Sequence, residues 1–140
     1  MFILYGVLIK SQKMCSFGCG KEENASHIFY ECKLAAEVWQ QILIWLNISS
    51  VLHNTALSNF IQFKGLVANG RVRRFSVIWY ACIWILWKGR NEKTFKDKNG
   101  SSETWFEGVK LLSWKWLTSK LQGFKYTFNQ WSLNPLAVWV

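Results

Sequence analysis

The run C-S-F-G-C-G-K-E-E-N-A-S-H-I-F-Y-E-C-K-L-A-A-E-V-W, Cys15 to Trp39, decides how the rest of the chain is read. Three of the four cysteines and one of the two histidines fall within its first 18 residues, spaced C-x3-C-x7-H-x4-C. Thiolates with an imidazole are a donor set that Zn2+ favours, and a closed set of four protein ligands is structural rather than catalytic. Cys15 and Cys19 flank a turn that contains Gly18. Asn24 or Ser26 is a natural cap for a helix opening at His27. His27 and Cys32 would then lie in its first turns, with the Cys32 thiolate favoured by the positive end of the helix dipole. Cys15, Cys19, His27 and Cys32 are therefore candidate ligands of one zinc ion. Two other readings stay open. Cys32 also falls on an apolar stripe, where a buried free thiol is common, and a Cys15–Cys32 disulfide fits if the chain is secreted.

Outward from this run the pattern is helical. From His27 to about Asn47, Ile28, Phe29, Cys32, Ala35, Ala36, Trp39, Ile42, Leu43 and Leu46 recur at three and four residues and define one apolar face. Ser49 to Asn54 reads as a loop. A shorter second helix, capped by Asn54 or Thr55, runs to about Val67 and ends at Asn69-Gly70. A third spans about 71–96. Its centre, Phe75 to Trp87, is apolar on all sides, but at 13 residues it is shorter than the roughly 18–20 needed to span a bilayer. It is expected to be a central helix surrounded by others, with Trp79, Cys82, Ile83 and Leu86 mostly buried and the Trp84–Trp87–Asn91–Phe95 stripe packed in the core. A fourth helix runs from Ser102 to about Leu121, with Glu103 and Glu107 near its start and Lys115 and Lys120 near its end, as the helix dipole prefers. Gly123 stops it. The aromatic tail from Phe124 can pack back or extend. The fold class expected is mainly α: a small CCHC zinc loop capping a helix (residues 1–47), then a compact helical region of about three further helices with basic flanks (48–140).

The same residues carry a family resemblance. Cys15, Cys19, Gly20, Glu22, Glu23, His27, Ile28, Phe29, Cys32, Val38 and Trp39 follow in order the pattern C-x2-3-C-G-x-E-E-[ST]-x-x-H-[LI]-F-x-x-C and the helix reaching V-W. This resembles the zinc-binding domain at the C-terminal end of plant LINE-type, non-LTR retrotransposon reverse transcriptases. I-W-I-L-W-K-G-R-N-E-K-T-F, residues 83–95, is similar to the W-x-x-W-x-x-R-N-x-x-F segment that follows in those proteins, and Phe128 and Trp131 fit an F-x-x-W further on. The resemblance implies a zinc-binding, nucleic-acid-binding module. It also implies that the apolar start, Met1 to Ile9, leads into the first ligand from a longer protein and is not a signal peptide. That start has no basic residue before it and no small-residue cleavage site after it. A truncated gene product is the expectation.

Composition agrees with a folded, basic module. Of 140 residues, 51% are hydrophobic and 10 are Trp, so a sizeable core can form and disorder is excluded. A net charge of +9 suits an anionic partner, RNA or DNA. The candidate phosphate contacts are Arg71, Arg73 and Arg74 at one place and Lys88, Arg90, Lys93, Lys96 and Lys98 at another, with Lys21 and Lys33 flanking the zinc loop. Phe17 and Tyr30 can stack on unpaired bases, or simply cover the metal. Three cysteines clustered with a histidine, and Cys82 alone in an apolar run, indicate a reducing compartment, nuclear or cytoplasmic and not secreted.

Catalytic sets are missing. Two-metal polymerases and nucleases need several converging carboxylates, and the chain has one aspartate, Asp97. Four ligands leave zinc no open position for hydrolysis; Glu22 and Glu23 read as a solvated loop. No glycine-rich phosphate loop and no small-molecule site is visible. The expected function is binding of RNA or DNA with zinc as cofactor and no enzyme activity. The alternative is a vestigial structural or protein-interaction module, and a membrane-anchored peptide is a third reading that rests on residues 75–87 alone.

Overall fold

The computed structural model of the chain describes residues 14–48, 58–59, 61–62 and 72–135. Among them the secondary structure is helical: α1 (His27–Glu31), a single π-helical turn; α2 (Lys33–Trp45); α3 (Val72–Lys96); α4 (Ser102–Lys120); and α5 (Phe128–Leu133). The expected mainly α class is what the chain adopts, with a Cys3His cluster beside the N-terminal helices. Of the second predicted helix, Ser58, Asn59, Ile61 and Gln62 are described and helical; the remainder, with the lead-in before Met14 and the Ser49–Asn54 loop, lies outside the described residues.

One boundary differs in kind. The helix expected to run unbroken from His27 is split at Cys32, whose backbone is extended (φ −58°, ψ 138°). The spacing H-x4-C explains the split. Five residues along an α-helix turn the chain through about 500°, leaving two side chains about 140° apart. A π turn is wider; here it closes with the Cys32 N–H donating to the His27 carbonyl at 2.7 Å. That brings His27 and Cys32 to the same side, which a regular α-helix does not.

The core joins all the helices. Val38 and Ile42 of α2, Ile78, Ala81, Cys82 and Leu86 of α3, Val109 and Leu117 of α4 and Trp131 of α5 are buried in one cluster that reaches Cys15 and Ile28 at the metal loop. α4 packs along α3 and also against α2, and α5 closes over α4. Tryptophan N–H groups find carbonyl and hydroxyl partners as they enter this core. Trp39 donates to Phe29 O (2.8 Å), Trp45 to Ser132 O (2.9 Å), Trp114 to Tyr126 O (2.8 Å) and Trp131 to Ser113 Oγ (3.1 Å). The first of these bonds joins α2 to α1, and the other three tie the aromatic tail back onto α2 and α4. The tail ends in α5, whose Thr127 and Gln130 form a reciprocal capping box.

α3 and α4 approach closely at Gly89, where the edge of the Trp105 indole lies 2.4 Å from where a Cβ would stand. Any side chain there would displace Trp105 and separate α3 from α4.

The described residues do not surround α3. Cys82 and Leu86 are buried and Trp79 and Ile83 are partly buried against the core, as expected, but Tyr80 and Trp84 are about half exposed. The other helices cover one side of α3, and its aromatic run continues round to a side facing water. The expected core stripe Trp84–Trp87–Asn91–Phe95 lies on this outer side, with Trp84 53% and Phe95 57% exposed. Among the described residues, no helix is long and apolar enough to cross a membrane.

Candidate metal centre

Backbone hydrogen bonds shape the ligand loop. An antiparallel bridge joins Met14 to Glu22. Inside it the Cys15 N–H donates to Lys21 O at 2.9 Å and the Gly18 N–H to Cys15 O at 3.1 Å. Gly18 has φ 81°, in the left-handed region where a side chain is strained. This turn folds Cys19 back beside Cys15. Asn24 then caps the next element, its Oδ1 accepting the His27 N–H at 2.8 Å.

The four sequence-predicted ligands converge. One ligand atom from each of Cys15, Cys19, His27 and Cys32 lies within 4.8 Å of every other. Cys15 Sγ is 3.9 Å and Cys19 Sγ 3.6 Å from Cys32 Sγ. A tetrahedral ion with metal–sulfur bonds of about 2.3 Å holds its sulfurs about 3.8 Å apart, midway between these values. All four cysteines are free, so the disulfide reading is not realised. The cluster has a further mark of a cation site. His27 is 2% exposed, and neither ring nitrogen has a hydrogen-bond partner. A buried imidazole with nothing to bond costs about 1–3 kcal/mol for each orphaned group; an ion bound to either nitrogen removes part of that cost. The donor set, separations and orphaned imidazole all fit a metal ion.

The thiols are unequal. Cys19 is lowered from the ordinary thiol value, first by the hydrogen bond from the Lys33 backbone N–H, with neighbouring thiols and Lys21 adding to it against burial. Cys32 is pushed up to about 12, mainly by burial; the Leu34 N–H works in the opposite direction and the adjacent thiols reinforce the rise. The first amides of α2 therefore reach both sulfurs, as a helix N-terminus should, but burial wins at Cys32. The dipole expectation thus belongs to Cys19 rather than Cys32. A bound dication reverses the balance at Cys32 by its own charge. Cys82, fully buried, is raised by desolvation and lies outside the cluster.

Two residues expected elsewhere belong to this site. Glu23, read from the sequence as part of a solvated loop, is 4% exposed. Arg90, read as a phosphate contact, is 3% exposed, and its Nη2 donates to Glu23 Oε1 at 2.7 Å. Burial pushes the Glu23 carboxyl up, but the Arg90 hydrogen bond and charge, with the Ser16 N–H and hydroxyl, outweigh it and hold the group below its usual range. Ser16 Oγ also meets Thr94 Oγ1 at 2.6 Å. The metal loop is thus pinned to the last turns of α3. A signal for this was in the sequence: Arg90 continues the 78–82–86 stripe at steps of four, where an arginine needs a buried acid. The space enclosed among Cys15, His27, Cys32, Glu23 and Arg90 is about 10 Å3, at the limit for a single water.

The other candidates are dispersed. Tyr30 is buried in the core and stacks on Trp39 (6.1 Å, 19°), and Phe17 lines the site and packs edge-on to Trp105 (5.4 Å). Lys93 is engaged by Asp97 (2.9 Å) and Asn99 (3.0 Å). Lys98 lies 3.8 Å from Glu92. Lys21, Lys33, Lys88 and Lys96 are exposed. Arg73 and Arg74 fall in the first turn of α3, and Arg71 lies outside the described residues. Compared with protein-family models, with curated proteins and with solved structures, the chain matches none.

Proposed function

We propose that the chain is a zinc-stapled helical module that binds RNA or DNA, derived from a reverse transcriptase of the LINE-type retrotransposon class, with no polymerase activity of its own. The observation that carries the zinc reading is the Cys15–Cys19–His27–Cys32 cluster, buried at all but Cys19 and sized for a tetrahedral ion. The ion's contribution is folding: it holds the loop to α1 and α2, and through Glu23–Arg90 the loop is held to α3. The order of motifs along the chain supports the retrotransposon origin. The +9 charge and the exposed lysines of the metal loop and of α3 support nucleic-acid binding. Asp97 is an exposed surface residue paired with Lys93, which supports the absence of two-metal chemistry.

A protein-interaction role is the second reading, favoured by exposed Ile44 (67%) and Leu133 (83%). Metal analysis of the purified protein should give one zinc per chain with four free thiols after its removal. Filter binding of a mixed-sequence oligonucleotide should weaken steeply as salt rises. Absence of binding even at low salt would reject the nucleic-acid role, and a salt-insensitive protein contact would put the second reading in its place.

A further inference from the structure

We infer that the outer groove of α3, between Trp84 and Phe95, is the binding site for single-stranded nucleic acid, its rings stacking on unpaired bases and Lys88 and Lys96 contacting phosphates. This rests on the nucleic-acid reading above and names the surface and strand type within it. The groove is an open cavity of about 280 Å3 lined by Trp84, Trp87, Lys88, Asn91, Phe95 and Lys96. That is near the lower end of small-ligand sites and fits a flat heterocycle rather than a folded partner. Two of its rings are more than half exposed although the core of the same helix is closely packed.

Residues 84, 88, 91 and 95 share one face of a helix. Trp84 and Phe95 stand about 16 Å apart along it, far enough to serve separate bases. Lys88 and Lys96 alternate with them and, among the described residues, make no ion pair. The acid in the groove, Glu92, has Lys98 at 3.8 Å. Aromatic faces interleaved with unpaired cations are the chemistry by which proteins hold single strands, because every base offers a π face and every linkage a phosphate. A duplex hides those faces within its own stack.

The floor of the groove is set from the metal side. The Arg90 guanidinium lies 5.6 Å from the Trp87 ring centroid and 5.7 Å from that of Phe95, while its Nη2 holds Glu23. A ring at Phe95 is therefore positioned by a residue that the zinc loop itself fixes.

The test uses the zinc-loaded full chain and a labelled mixed-sequence single strand, titrated at several salt concentrations. Trp84→Ala with Phe95→Ala should weaken binding by about 30-fold or more, up to about 25,000-fold if both stacks are lost in full, while leaving the salt slope unchanged. Lys88→Ala with Lys96→Ala should lower the slope by about 1.4 in total. Trp84→Phe with Phe95→Tyr should retain most of the affinity, which separates stacking from loss of fold. If wild type binds, the groove variants bind equally well, and Arg71→Ala/Arg73→Ala/Arg74→Ala abolishes binding, the groove assignment is wrong and the nucleic-acid reading stands. Preference of wild type for duplex over single strand also overturns the assignment. If wild type does not bind at all, both fall.

Discussion

Replacing Arg90 by alanine removes the one cation that, among the described residues, pairs with the buried Glu23. The Glu23 side chain is 1% exposed and that of Arg90 3%. After the change, the Ser16 N–H at 3.3 Å and hydroxyl at 3.2 Å are what remain for the carboxylate. Breaking a buried pair from one side costs about 3–5 kcal/mol, because it leaves a charge desolvated. A domain of this size has about 5–15 kcal/mol in all, so the variant should lose about a fifth or more of its stability. Its melting temperature should fall by about 10–20 °C. The zinc-loaded protein would be followed by far-UV circular dichroism during heating. Glu23→Gln/Arg90→Met should recover much of the loss, since it removes both charges and keeps the volume. The pH dependence gives an independent check. The Glu23 carboxyl is depressed below 4.5, so the pair stabilises fully above that pH and its contribution disappears as pH falls through the folded value. Arg90→Ala should flatten this acid limb. A variant melting within about 2 °C of wild type, with the limb unchanged, would refute the claim that this pair pins the metal loop to α3.

Much of this fold was legible because apolar spacing reports which faces are buried. The bounds of α3 and α4 follow from periodicity and from punctuation by Asn99-Gly100-Ser101 and Gly123. Ser101 accepts the Thr104 N–H at 3.1 Å, as its position suggests. The metal cluster was legible because three thiols and an imidazole within 18 residues make a soft donor set that a single ion gathers. The π turn was not, since periodicity assumes 3.6 residues per turn and the H-x4-C spacing is met by departing from it. Nor was the outer side of α3. An all-round apolar run indicates burial only when enough partners exist to cover it, and sequence pattern does not count partners. Trp84 and Phe95 therefore read as core and stand in solvent.

The Glu23–Arg90 pair shows a second limit. The partners are 67 residues apart and no local rule joins them. Each has a bland reading by itself, a loop acid and a cation in a basic run. Only the stripe running from Ile78 through Cys82 and Leu86 to Arg90 argued for an inward arginine, and net charge argued the other way. Charge counts treat all cations as equal. In the fold Arg90 and Lys93 are occupied by acids and amides, while Lys88 and Lys96 are not.

Three further outcomes follow from the geometry. Gly89→Ala would set a Cβ 2.4 Å from the Trp105 ring, and the forced shift should destabilise by about 1–3 kcal/mol, visible as a lower melting temperature and altered near-UV dichroism. Substituting Co2+ for zinc should give the intense visible absorption of a tetrahedral thiolate site, and Cys19→Ser, Cys32→Ser or His27→Ala should each weaken it while Cys82→Ser leaves it intact, since Cys82 lies outside the cluster. Chelation should loosen the protein locally, because Ile78, Val109, Leu117 and Trp131 are fully buried among α3, α4 and α5 without the loop's help, whereas the loop and α1 are held at the edge of the core by Cys15 and Ile28, by the Glu23–Arg90 pair and the Ser16–Thr94 hydrogen bond, and by the ion. Amide exchange should therefore accelerate strongly for His27–Glu31 and little for the middle of α4, and equal acceleration in both would mean that the ion supports the whole fold.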